Sequence, residues 1–146
     1  MNLVRLLYVS KLKKNKNAVK DLMDILTEAI TYNSPHEIYG ALYFGNGYFV
    51  QCLEGERDKL EHLFYKKIIR DPRHEQCEVI YLEPIKSRLF ANWHMKYAAF
   101  NKEVMHFFKD HHLEAFNPYL LTNHTISPFI NLLAKQKDGI STLRLK

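Results

Sequence analysis

Cysteine is scarce in this chain: 146 residues hold two, Cys52 and Cys77, at a separation that matches no metal-binding spacing. A disulfide-stapled scaffold and a zinc module built on paired cysteines are thereby excluded. No apolar run approaches the roughly 18 residues of a membrane helix. The opening MNLVRLLYVSKLKKNK turns basic directly after its first strand-like residues, so no secretory leader is read. The expectations are a cytoplasmic location, two reduced thiols and no membrane. No glycine-rich phosphate loop precedes the first helical stretch, where lysines stand instead. An RNP-like run such as K/R-G-F is also missing, and 21 basic against 16 acidic residues give a net charge of only +5, so no nucleic-acid partner is expected. No repeat or low-complexity segment is present.

What is there suits one soluble domain: 47% hydrophobic and 13% aromatic residues supply a core without staples. The basic excess is local. Lys11, Lys13, Lys14, Lys16 and Lys20 crowd KLKKNKNAVK, read as a solvated loop and helix start, with proximity to ligand phosphates as the functional alternative. His106, His111 and His112 cluster near the end of the chain. His106 and His111 lie five apart, a poor helical chelate, so no metal is expected.

Periodicity orders the elements. Leu3 to Val9 reads as a central strand. Ala18 to Asn33 carries apolar residues at spacings of three and four (Val19, Leu22, Met23, Leu26, Ala29, Ile30), an amphipathic helix. IYGALYF and YFVQCLE flank Gly45-Asn46-Gly47 and form a hairpin. A second helix spans Arg57 to Arg70 and is ended by DPRH; strands follow at CEVIYLEPI and HMKYAAF. The order β-α-β-β-α-β-β predicts an α+β, ferredoxin-like βαββαββ sandwich, with two helices on one face of a five-stranded mixed sheet. Beyond it lies a C-terminal helical extension: NKEVMHFFKDHH, then SPFINLLAKQKDG with Ser127 as N-cap, Pro128 in the first turn and Gly139 as terminator. The predicted division is 2–97 and 98–146.

Polar residues interrupt the apolar faces at telling places. Gln51 shares a strand face with Phe49 and Leu53, where an amide without partners costs about 1 to 3 kcal/mol. Asn33 falls on the helix face of Val19, Leu22 and Leu26. On the second helix the stripe Leu60, Phe64, Lys67, Asp71 turns polar at its last turn. Each has an ordinary explanation: Asn33 as a helix-ending residue, Lys67 and Asp71 as an i,i+4 surface pair, Arg73 and His74 as loop residues, Tyr8 as a core tyrosine. Together they describe an apolar slot between two helices, with polar groups at one end and Tyr8 and Gln51 beneath, suited to a flat ring with polar edge atoms.

RLLYVS, DILTEAITYN, IYGALYF, YFVQCLEGE, IIRDPRH and RLFANWHMKY, in this order and at these intervals, resemble the BLUF family, blue-light sensors that hold FAD noncovalently. The resemblance covers residues 2 to 97, and the short chain with a helical tail is similar to stand-alone members that signal through a partner protein and lack an attached enzymatic domain. It implies that Tyr8 donates an electron and a proton to excited flavin and that Gln51 lies between Tyr8 and flavin N5 and O4. Asn33 would bond the carbonyl edge; Ile25, Asp71, Arg73 and His74 would line the cofactor. Lys67 stands where the family carries Arg or His, and Tyr32 where Asn or His is frequent. Trp93 and Met95 match the W-x-M pair that relays the signal. Homo-oligomerisation and an unidentified downstream protein are the implied partners. Cys52 follows Gln51 and should face away from the flavin, so no cysteinyl-flavin adduct is expected. The alternative is a ferredoxin-like small-molecule-binding regulatory module, or an acylphosphatase-like enzyme, using the slot without light.

Overall fold

Alternation along the first strand divides its side chains between two layers, and the rest of the fold follows from that division. The computed structural model describes residues 2–13, 18–99, 101–111 and 116–139. The elements are β1 (Leu3–Leu12), α1 (Ala18–Asn33), β2 (Tyr39–Gly45), β3 (Tyr48–Glu56), α2 (Arg57–Leu63), β4 (His74–Pro84), β5 (Lys96–Ala99), α3 (Lys102–Asp110) and α4 (Ile126–Lys135). The strands form one sheet in the order β4-β1-β3-β2-β5, antiparallel except for the β2–β5 pair. This is the predicted ferredoxin-like mixed sheet. β1-α1-β2 and β3-α2-β4 each span one intervening strand, and right-handed crossovers bring both helices to the same face.

Val4, Leu6 and Tyr8 point to that face and pack with Leu22 and Leu26 of α1, Leu60 and Leu63 of α2, and Phe49 and Leu53 of β3. Leu7 and Val9 point the other way, into a second core of Tyr43, Val50 and Cys52 covered by Val104 and Phe108 of α3 and Phe129, Ile130 and Leu133 of α4. The tail therefore supplies the missing half of a three-layer sandwich: its apolar stripes lie on the second face of the sheet.

Several boundaries differ from the sequence reading. β1 runs on to Leu12, where its amide meets the Gly47 carbonyl at 2.9 Å; β4 starts at His74; β5 is confined to four residues. The second helix does not run regularly to Arg70. It leaves α-helical geometry after Leu63 and widens into a π-turn over Phe64–Ile68. α4 starts after Thr125, not Ser127, and ends at Lys135, so Gly139 is not its terminator. The Thr125 hydroxyl organises that start through the Thr122 amide at 2.7 Å. The hairpin turn is as expected: Asn46 and Gly47 have φ of 52° and 80°, a type I′ geometry. Lys14, Lys16, Phe100 and His112 lie outside the described residues. Among the described residues, no group of three His, Cys, Asp or Glu side chains could hold a metal ion, and no helix is long and apolar enough to cross a membrane.

Candidate functional site

Between α1, the π-turn and the β1–β3 floor opens a cleft of about 960 Å³, within the range of small-molecule sites. It is lined by Tyr8, Ile25, Asn33, Gln51, Lys67, Asp71, Arg73 and His74, so all eight residues assigned to the cofactor in the sequence reading are brought together.

The floor is a cross-strand pair. Tyr8 and Gln51 sit opposite each other in the β1–β3 register, and the phenol donates a hydrogen bond to Gln51 Oε1. The other end of the amide, Nε2, donates to the thioether of Met95 at 3.4 Å. Gln51 is 4% exposed, and these two side chains are its side-chain hydrogen-bond partners among the described residues. Burial raises the Tyr8 pKa well above the usual phenol value, with Cys77 and Asp71 adding to the effect; the hydroxyl stays protonated and keeps donating.

Asn33 ends α1 at 1% exposure, with Nδ2 donating to the His94 carbonyl at 2.8 Å. Its Oδ1 is buried and has no partner within the protein. A buried acceptor left unmade costs about 1 to 3 kcal/mol, which marks the point where a ligand donor fits.

His74 forms part of the wall. Its Nε2–H donates to the Ile68 carbonyl at 2.7 Å, and Nδ1 is hydrogen-bonded with Ser10 Oγ at 2.9 Å. Both nitrogens are thus engaged by the protein, and His74 offers the cleft a ring edge against Tyr8 and Phe49. Asp71 does not pair with Lys67; it holds the Arg73 guanidinium and backbone amide, and Arg73 reaches on to Glu28 of α1. Burial works to raise the Asp71 pKa, but the Arg73 bonds outweigh it and hold the carboxyl below its usual range. The Lys67 ammonium lies 5.0 Å from the Tyr32 ring, which stacks on His36 at 4.2 Å. Glu28, His36 and the Ile68 carbonyl escaped the sequence reading. Glu28 lies on the polar side of α1, and backbone groups exposed by a π-turn carry no side-chain signal.

Trp93 and Met95 separate. Met95 is buried against Gln51, whereas Trp93 packs beside Lys96 toward the tail layer. Cys52 faces the second core, away from the cleft, and both cysteines are free.

Fold and cleft together define a ferredoxin-like domain with a ligand-sized cleft between its helices. The imide edge of a flavin alternates carbonyl acceptors with an N–H donor, and the buried Asn33 Oδ1 with the Lys67 and Arg70 donors on the cleft wall match that set. The residues fit the group. The family model described as BLUF, sensors of blue-light using FAD, matches residues 3–96, and the chain belongs to that family. Two solved structures of BlsA, photo-activated and ground state, each superpose with a TM-score of 0.89 at 38% identity over 93% of this chain, covering 97% and 90% of theirs. The dark-state structure of BlrB, a BLUF protein, gives 0.76 at 28% identity, over 91% of this chain and 96% of its own. Photoactivated adenylate cyclase subunit beta of Euglena gracilis is 34% identical over 96 residues, 65% of this chain. The chain spans about a tenth of the length of such curated relatives, the match covering 11% of that subunit.

Proposed function

We propose that this protein is a blue-light photoreceptor that holds FAD noncovalently in the α1–π-turn cleft and signals to a partner protein without catalysis of its own. The observation that carries the reading is the Tyr8–Gln51–Met95 chain on the cleft floor. When bound, the flavin supplies blue-light absorption and an electron-accepting excited state. Tyr8 is the electron and proton source, because its phenol is dry, protonated and aimed at an amide oxygen. Gln51 is the switch. Rotation or tautomerisation of the amide replaces the acceptor facing Tyr8 with a donor, so the Tyr8 O–H···Oε1 bond gives way to one in which the phenol oxygen accepts, and rotation also gives up the weak contact to sulfur. A rotated carbonyl would meet the Met95 thioether, which has no hydrogen to donate. The cost of that unmade bond, about 1 to 3 kcal/mol, drives return in the dark.

Met95 reads the amide from the residue just before β5 and, with Trp93 on the opposite side of the same segment, forms the relay to the tail layer. Two free thiols accord with a cytoplasmic setting. Self-association of the chain belongs to the same proposal.

The test is an absorption spectrum of the purified, flavin-loaded protein before and after a blue flash. A red shift of the flavin band that reverses in the dark is expected. Gln51→Leu should bind flavin and show no shift, and Tyr8→Phe should bind flavin and lose the photocycle. Protein that takes up no flavin overturns the proposal, and a normal photocycle in Tyr8→Phe removes that residue from the mechanism.

A further inference from the structure

The most anomalous side chain outside the cleft is Lys96, the first residue of β5, whose exposure is 0%. Lysine is almost never fully buried unless an opposite charge accompanies it. Here the ammonium donates instead to two backbone carbonyls, Ala134 at 3.1 Å and Gln136 at 2.8 Å, at the end of α4. It also lies 4.5 Å from the Trp93 ring and 5.5 Å from that of Phe90. The last carbonyls of a helix are its negative pole, so a cation placed there replaces the missing intrahelical donors and opposes the macrodipole. Burial lowers the Lys96 pKa, and Asp138 acts in the opposite sense.

The neighbouring residue of β5 extends the same attachment. Tyr97 N–H donates to Asp138 Oδ1 at 3.3 Å, and the Gly139 amide donates to the Tyr97 carbonyl at 2.7 Å. Asp138 and Gly139 therefore bond the edge of β5 that β2 does not occupy, while the Lys96 side chain holds the end of α4. Met95, one residue before Lys96, touches Gln51 on the other face of the sheet. The two consecutive side chains thus reach the switch on one side and the end of α4 on the other.

We infer that Lys96 is a positioning residue, a latch that fastens the end of α4 and the 136–139 strap to β5 and so ties that strap to the state of Gln51. This rests on the proposed photoreceptor function. β5 has four residues and a single sheet neighbour, so a displacement of Met95 is transmitted along it with little resistance from the rest of the sheet. A shift that lengthens the two carbonyl contacts leaves a buried ammonium without acceptors, and the latch opens instead of stretching.

The experiment is amide hydrogen exchange across residues 130–139 of the flavin-loaded full chain, in the dark and under blue light, for the wild type, Lys96→Met, Lys96→Arg and Gly139→Pro. In the wild type, light should speed exchange over 134–139 by about tenfold or more. Lys96→Met, which keeps the stem and removes the donors, should exchange at the lit rate already in the dark and show no further change with light, while its flavin red shift persists. Lys96→Arg, which keeps donors, should restore part of the dark protection. Gly139→Pro, which removes one strap donor and leaves the core intact, should speed dark exchange over 136–139 alone. Dark protection of 134–139 at the wild-type level in Lys96→Met, or, where both proteins show the flavin red shift, an equal light response in Lys96→Met and wild type, overturns the latch. The dark comparison of wild type and variants needs no photochemistry, so a failed red shift with loosened Lys96→Met refutes the photoreceptor reading alone.

Discussion

At the scale of the residue, one buried polar atom of the cleft wall has no hydrogen-bond partner among the described residues. It is Asn33 Oδ1, sealed in the cleft wall while Nδ2 of the same amide is committed to the His94 carbonyl. Asn33→Ala should therefore weaken flavin binding by about tenfold to a hundredfold, the value of a buried hydrogen bond of roughly 1.5 to 3 kcal/mol. Quenching of flavin fluorescence on titration with apoprotein measures it; an unchanged affinity would take Asn33 out of the site. Gln51, Asn33 and Tyr8 were legible in the sequence because each is a polar group at a position where periodicity demands an apolar one. Asp71 was legible as a polar lining residue but not in its pairing. The i,i+4 rule assigns it to Lys67 only if the helix is regular, and it is not; Arg73 is two residues away and folds back onto it.

At the scale of the element, that irregularity is the π-turn over Phe64–Ile68. Apolar spacing carried a regular helix through it because Leu60, Leu63, Phe64 and Ile68 fit an α-helical stripe closely enough to hide one extra residue per turn. The widened turn has consequences for the cleft: it places Lys67 beside Tyr32 and turns the Ile68 carbonyl toward His74. Such bulges occur where a helix must present groups that regular geometry would rotate away. Deleting the exposed Lys66 should restore α-helical winding, swing the residues before it by roughly 100° relative to those after it, and break the Ile68–His74 bond. Flavin affinity should fall by about tenfold or more while circular dichroism keeps its helical signal. Wild-type affinity in the deletion variant would show that the cleft does not depend on the bulge. The fully buried Lys96 had no sequence signal either, since a lysine in an edge-strand pattern normally marks solvent.

At the scale of the whole molecule, two opposite faces of one sheet are dry, and thiols and phenols are enclosed on both. Burial pushes the Cys52 thiol well above its usual range and raises Cys77 to about 11. Tyr8 and Tyr43 are raised in the same way. The sign follows from linkage: a folded-state pKa above the unfolded one means that the unfolded chain loses its proton first. Stability is thus complete below the unfolded thiol pKa of about 8.5 and declines as pH rises beyond it, more steeply past about 10 when the phenols join. Melting temperature measured from pH 7 to 11 should be flat at first and then fall, and Cys52→Ala should flatten the portion between about 8.5 and 10. A decline that begins below pH 8 would assign alkaline sensitivity to other groups. The ferredoxin-like order was readable because amphipathic helices and alternating strands announce which faces need cover. That the tail would supply the second cover was visible only as apolar stripes in search of a surface.

The two-sided burial of the sheet also bears on how such a sensor could be moved into another protein. Residues 3–96 hold every cleft side chain discussed above, yet Leu7, Val9, Tyr43 and Val50 rely on α3 and α4 for shelter. A host receiving the shorter piece must bring a greasy lid of matching shape, so the tail travels with the light-sensing segment as its inseparable underside.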